Sequence, residues 1–425
     1  MPGPAETRLA GVPWEALAEA GDLGPVLAAV LAGTAAERAV DRALRVRPRL
    51  SGAGRQALVE AVFGVGLWRR RLRHAVGDEA AAPGLLLAAL IRDLAGRAGG
   101  EAEALAGLTP RALPAPRPAP TDLAARASLP DWLAAELRRA VGREADALAD
   151  ALNVPGPVFL RVNGLRTDAA LLAARLAGEG VPSRSGALAP GCLVAEGRRV
   201  NVLALASHRG GLLEVQDEGS QLVGLALGAR PGEAVLEPCA GAGGKTLQLA
   251  AFVGPAGRVH AADPDAARLE RLRARAARAG AAATVAVHGT APAAGLLVDR
   301  VLVDAPCSEL GPLRRGPDLR WRIDPAGFEG LPAVQRGILE RGAAHVRPGG
   351  RLVYATCTFR QEENEEVAEA FEREHPAFRR VAALPEGAVD PAAAGALVGA
   401  DLFMRTWPHR HGTDGFFAAA WERAG

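Results

Sequence analysis

Lysine is almost missing from this chain: Lys245 stands alone, and every other member of the 50 Lys plus Arg is arginine. Cysteine is scarce as well, with four in 425 residues: Cys192, Cys239, Cys307 and Cys357. None sits in a C-x-x-C pair, which excludes zinc ribbons and dithiol redox motifs, and thiols are the expected state. No apolar run approaches the roughly twenty residues that span a bilayer; G-L-L-L-A-A-L-I at 84–91 is among the longest. The first residues carry Glu6, Glu15 and Glu19 and no basic start before an apolar stretch, so no secretory signal is expected and a cytoplasmic location is. An excess of charge of one sign is also lacking. With 50 basic and 48 acidic residues the net charge is +2, so nucleic-acid binding would have to come from local arginine patches.

What is present is an ordinary globular composition, 49% hydrophobic and 23% charged, with length for two to three domains. From Ala35 to about Gly107 apolar residues recur at three- and four-residue spacing, which predicts an all-α domain over 1–108. Within it Arg69, Arg70, Arg71 and Arg73 flank Trp68, as a phosphate grip or as a solvated helix face. The stretch T-P-R-A-L-P-A-P-R-P-A-P-T at 109–121 cannot continue a helix and reads as a stiff linker. A helical and α+β connecting module is expected over 122–230. From 231 to 425 strand and helix alternate, which predicts an α/β domain with a doubly wound, mostly parallel sheet.

Two strands of that domain end on cysteine. D-R-V-L-V-D-A-P-C-S carries Asp304 and Cys307, and R-L-V-Y-A-T-C-T carries Cys357. Ligands bind outside the carboxyl ends of strands in such sheets, so the two thiols could face one crevice; the alternative is that they pack in the core. Tyr354, three residues before Cys357, falls on the opposite strand face and reads as core. The first strand runs into Cys239-Ala240-Gly241-Ala242-Gly243-Gly244-Lys245, where a glycine turn lets backbone N–H groups approach a ligand. Its spacing is neither G-x-G-x-x-G nor the longer phosphate loop. The second strand ends on Asp263, a residue suited to both hydroxyls of a ribose, so a nucleoside cofactor is expected. His409 and His411 have no cysteine or third histidine nearby, so no metal site is expected.

The ordered segments F-L-R-V-N, V-Q-D-E-G-S-Q-L, C-A-G-A-G-G-K-T, V-D-A-P-C-S, L-R-R-G-P-D-L-R-W-R, Y-A-T-C-T-F-R-Q-E-E-N-E and P-H-R-H-G-T-D-G-F-F resemble the Nop/Sun family of RNA cytosine-5 methyltransferases, from about Phe159 onward. The helical region with R-Q-A-L-V-E-A-V-F-G-V looks like the NusB-like RNA-binding domain of the bacterial Fmu/Sun type, which acts on small-subunit rRNA. The resemblance implies a Rossmann-like class I methyltransferase domain, S-adenosyl-L-methionine as cofactor and RNA as partner, in a protein expected to be a monomer. It implies Cys357 as nucleophile, Cys307 as the release group, Lys245 as the charge favouring the Cys357 thiolate, and Asp304 beside both cofactor and base. The cofactor set would be residues 239–245 with Asp263 and Asp304, and Arg314, Arg315, Arg320 and Arg322 would grip RNA. The chain departs from the family in three places: Gly241-Ala242 replaces Ala-Pro, Glu309 replaces a glycine, and no acid follows the third strand between Thr284 and Asp299, where His288 or a backbone group would have to serve the adenine. The rival readings are a non-catalytic RNA-binding or ribosome-assembly factor that keeps the fold, and a methyltransferase of DNA, which would attack from Cys307, or of protein.

Overall fold

The structure, a computed structural model, describes residues 3–197, 200–292 and 295–425. The chain forms two compact units, Met1–Pro155 with Leu313–Pro325, and Gly156–Pro312 with Ala326–Gly425.

The first unit is helical. Its longest helix, α1 (Gly52–Val76), is capped by the Ser51 hydroxyl, which accepts from the Gly54 N–H at 3.0 Å, and is closed by Gly77 in the left-handed region at φ 79°. Leu58, Ala61, Val62, Val65 and Leu72 recur at helical spacing and are fully buried in a core that includes Trp14, Leu27 and Leu86. Gly64 admits Leu90, because a Cβ there would stand 2.6 Å from a leucine methyl. The proline-rich stretch does not divide domains as expected. The Glu103 carboxylate accepts from the Arg111 and Leu113 N–H groups at 3.0 and 2.8 Å, and the His74 ring lies 3.1 Å from the Pro118 carbonyl. These contacts tie the stretch to the helical unit, and the division falls at 155/156 instead.

The second unit holds two sheets. Strands β1 (Val158–Val162), β2 (Ser183–Ser185), β3 (Cys192–Ala195) and β4 (Leu213–Val215) pair antiparallel in the order β2-β3-β1-β4. The larger sheet comprises β5 (Ala234–Glu237), β6 (Arg258–Ala261), β7 (Val285–Val287), β8 (Val298–Asp304), β9 (Val346–Thr356), β10 (Phe378–Val381), β11 (Met404–Thr406) and β12 (Phe416–Arg423). Its order is β10-β12-β9-β8-β5-β6-β7, with β11 on β12; the five strands β5 to β9 are parallel, and β10, β11 and β12 join antiparallel. This is the expected Rossmann-like, mostly parallel sheet. Alternate residues go to opposite faces: Val235, Leu302, Val353 and Ala355 enter one core, while Leu236, Val301, Val303 and Tyr354 enter the other. Tyr354 is fully buried, as its spacing from Cys357 predicts. The strand order reverses at β5/β8, so the carboxyl ends of these two strands form the crevice where ligands bind in such folds.

Candidate active site

At the end of β5 the chain turns through Gly241 (φ 54°) and Gly243 (φ 88°) into α2 (Gly244–Val253). A Cβ on Gly243 would lie 2.8 Å from Leu272 of α3 (Ala266–Ala279), so glycine is required by both φ and space. The turn is held from two sides. Asp263, after β6, accepts from the Gly241 N–H at 2.9 Å through one carboxylate oxygen and from the Asp265 N–H at 2.9 Å through the other. Arg161 of β1, buried, donates to the Gly244 carbonyl and to the Gln216 side chain.

In front of the turn is a cavity of about 700 Å³, in the range of small-molecule sites. Cys239, Ala240, Gly241, Ala242, Gly244, Lys245, Asp263 and Asp304 all line it; Gly243 does not, being spent within the turn. The donor set suits a nucleoside. Asp263 is oriented by backbone N–H groups, and each of its oxygens retains lone-pair capacity for a ribose hydroxyl. Thr290, Ala291 and Pro292 also line the cavity. His288 is not on the cavity wall; its Nε2 lies 3.0 Å from His260 Nδ1. Cys239 is an inert thiol, since burial first, then Asp304 and Asp263, push its pKa up to about 12.

The reactive groups lie along the same cavity. Lys245 Nζ donates to Asp304 Oδ2 at 2.7 Å and stands 5.4 Å from the Phe416 ring centre. Burial works against its charge, but the Asp304 carboxylate, and after it Cys357 and Glu237, hold the ammonium above its ordinary pKa. Glu237, fully buried at the end of β5, is pushed up to about 8 by burial, against the pull of its hydrogen bond from Thr246; it is a neutral acid at pH 7. Cys307 Sγ and Cys357 Sγ are 3.4 Å apart. The thiol of Cys357 is pushed well up by its hydrogen bond to Cys307, then by burial and by the charges of Cys307, Asp304 and Glu309. Lys245 is thus paired with Asp304, and the surroundings of Cys357 oppose its thiolate.

The two cysteine loops are cross-tied by residues the sequence did not single out. Ser308 Oγ and Thr358 Oγ1 are 2.7 Å apart, and the Gly311 N–H donates to the Cys357 carbonyl at 2.9 Å. Glu363 and Gln335 grip the Cys307 loop; the only signal for Glu363 was its place in Q-E-E-N-E. Glu309 has φ 54°, a left-handed conformation that glycine adopts freely.

The arginine segment divides. Arg320 is fully buried and donates to Asn153 Oδ1 at 2.7 Å and the Leu152 carbonyl at 3.0 Å. It cannot reach RNA without breaking the helical unit, so its expected role as an RNA grip is corrected to a structural one. Arg314 is also buried, and Arg315 and Arg322 are exposed. Arg69, in the basic cluster near Trp68, is likewise buried, over the Trp321 ring at 5.0 Å. His411 accepts from the Trp407 N–H at 2.9 Å. Among the described residues no three His, Cys, Asp or Glu gather as a metal site, and no helix is long and apolar enough to cross a membrane.

Residues 224–422 match the family described as 16S rRNA methyltransferase RsmB/F, and residues 129–202 match its ferredoxin-like domain, a span that crosses the 155/156 division. A probable ribosomal RNA small subunit methyltransferase B of Synechocystis sp. is 34% identical over 306 residues, covering 70% of this chain and 67% of that protein. Its counterpart in Bacillus subtilis is 34% identical over 311 residues, 71% of this chain and 68% of that one. A methyltransferase homolog protein from Pyrococcus horikoshii has the same fold, with a TM-score of 0.59 and 24% identity over 71% of this chain and 98% of that one. The chain belongs to the RsmB/F family of S-adenosylmethionine-dependent 16S rRNA methyltransferases.

Proposed function

We propose that this protein methylates C5 of a cytosine in small-subunit ribosomal RNA through a covalent adduct on Cys357. The observation that carries the reading is the pair of thiols 3.4 Å apart, on the wall of the same cavity as the Lys245–Asp304 pair. S-adenosylmethionine, when bound, supplies an electrophilic methyl group; residues 239–242, Gly244 and Asp263 are the ones that would hold it. C5 of cytosine is a poor nucleophile until sulfur adds to C6, and the Cys357 side chain makes that addition once it has lost its proton. Asp304, on the cavity wall with one oxygen held by Lys245, would accept a hydrogen bond from the exocyclic amine of the base through its other oxygen. After transfer the C5 proton passes to Cys307 in its thiolate form, the C5=C6 double bond re-forms, and the C6–S electron pair leaves with Cys357 as thiolate; Cys307, in contact with Cys357, thus serves that release. A paired target base has to be flipped out of its helix to reach the thiols. Of the arginines considered for the RNA backbone, Arg315 and Arg322 are exposed and keep that role.

The test is transfer of labelled methyl to unmodified rRNA, followed by nucleoside analysis, with wild type and Cys357→Ala. The expected product is 5-methylcytidine with wild type, and turnover falls roughly a thousandfold or more in the variant. Methyl found on another atom, or full activity without Cys357, overturns the proposal. Wild type that neither transfers methyl nor binds cofactor points to a non-catalytic assembly factor.

A further inference from the structure

The loop carrying Cys307 is gripped on both sides of that residue by one pair of buried side chains. Gln335, on α4 (Leu331–Ala343), donates through Nε2 to the Pro306 carbonyl at 2.9 Å and to Glu363 Oε2 at 2.9 Å. The same Glu363 oxygen accepts from the Ser308 N–H at 2.9 Å. Residues 306 and 308 are thus fixed from one point, with Cys307 between them. Both clamp side chains are fully buried, and the Glu363 backbone is held in turn by the Tyr354 hydroxyl, which donates to its carbonyl at 2.5 Å. The contact Ser308–Thr358 at 2.7 Å adds a direct tie to the residue after Cys357.

The amide of Gln335 is oriented by its neighbours. Rotated by half a turn, its oxygen would face the Pro306 carbonyl and the Glu363 carboxylate, neither of which has a proton to give when the acid is ionised. In the orientation present, its Oε1 is buried with no hydrogen-bond partner among the described residues. An unsatisfied buried carbonyl is a desolvation cost that an apolar side chain of the same length would not carry. What the amide adds is its grip on the Cys307 loop. Cys357 follows directly on β9, whose position is set by the sheet ladder, whereas Cys307 lies in an irregular loop beyond β8.

We propose that Gln335 and Glu363 are positioning residues that hold Cys307 at release distance from Cys357. The inference rests on the reading of Cys307 as the release group. Slackening the clamp leaves attack by Cys357 in place and slows breakage of the C6–S bond, because a displacement of about 1 Å is enough to cost up to roughly a hundredfold in rate. Glu363 and Gln335 are not on the cavity wall.

The experiment compares wild type, Gln335→Met, Thr358→Val and Cys307→Ala for turnover, cofactor KM, and covalent protein–RNA adduct on denaturing gels. Gln335→Met keeps length and apolar bulk but removes both donated bonds. The expected result is a fall in turnover of roughly ten- to hundredfold, an unchanged cofactor KM, and an adduct band like that of Cys307→Ala. Thr358→Val, which removes only the second tie, is expected to show the same pattern more weakly, and it carries the test if Gln335→Met does not fold. A folded Gln335→Met with wild-type turnover, or with reduced turnover and no adduct, overturns the clamp while an adduct in Cys307→Ala leaves the reaction standing. No adduct in Cys307→Ala overturns the reading of Cys307 and the clamp with it.

Discussion

The stretch at 303–308, where β8 runs into its loop, and the segment at 313–322 are both dense in polar groups, but they use them in opposite ways. In the first, buried partners take the backbone, through Gln335 and Glu363, and leave the side chains of Asp304 and Cys307 on a cavity wall. In the second, the side chains themselves are taken: Asp318 Oδ2 accepts from the Ala36 N–H at 3.0 Å, and Arg320 is used by Asn153 and Leu152. The difference teaches that polar residues become available for chemistry where something else satisfies the backbone around them. A guanidinium has five donors, and once buried it is committed to whatever acceptors surround it.

The sharpest break of this comparison is at Lys245. Lys245→Met leaves the partly buried Asp304 without its cation, and we expect a loss of roughly 2–4 kcal/mol in denaturant unfolding together with at least a hundredfold loss of methyl transfer. An unchanged midpoint would show that Asp304 does not depend on the pair. Next, Arg320→Ala and Arg315→Ala separate the two fates within one segment. The first is expected to destabilise the protein by about 2–4 kcal/mol. The second, at an exposed residue, should cost less stability than the first but weaken RNA binding and reduce its salt slope by about one. Equal effects of the two on RNA affinity, at equal stability, would erase the distinction.

Glu237 tests the cavity floor. Its folded pKa is raised to about 8 by burial, so between the ordinary carboxylate range and that value the folded state keeps a proton that the unfolded chain has lost. Stability from the neutral acid is complete at low pH and is lost as pH rises through that window. Glu237→Gln, always neutral, should therefore match wild type near pH 4 and exceed it by on the order of 4 kcal/mol at pH 8; parallel pH profiles would sink the assignment. The smallest effect belongs to Glu309. Glu309→Gly relieves a positive φ and is expected to stabilise by about 0.5–1 kcal/mol in thermal unfolding; destabilisation would mean the carboxylate has a stabilising partner that outweighs the strain.

Much of the second unit was legible in the sequence. The β-branched runs of β8 and β9, the glycine turn before Lys245 and the acid at Asp263 are local signals, because a strand needs alternation or full burial and a tight turn needs φ above zero. Tyr354 fell on the core face for the same reason. The proline-rich stretch misled, since proline forbids a helix but does not say whether the extended chain leaves the surface; here Glu103 and His74 hold it down. Arg320 misled through composition alone, as an arginine beside a tryptophan reads the same whether it faces solvent or Asn153.

By itself, then, the sequence determined the strand–helix order, the parallel sheet and the placing of two thiols at two strand ends, all of which follow from periodicity and neighbours in the chain. Only the tertiary structure decided that Cys307 and Cys357 meet at 3.4 Å, that His288 turns to His260, and that Gln335 and Glu363 share the loop between them. Those outcomes depend on which distant group supplies the missing donor or acceptor once a polar atom is buried, and a linear pattern of polar and apolar residues does not carry that information.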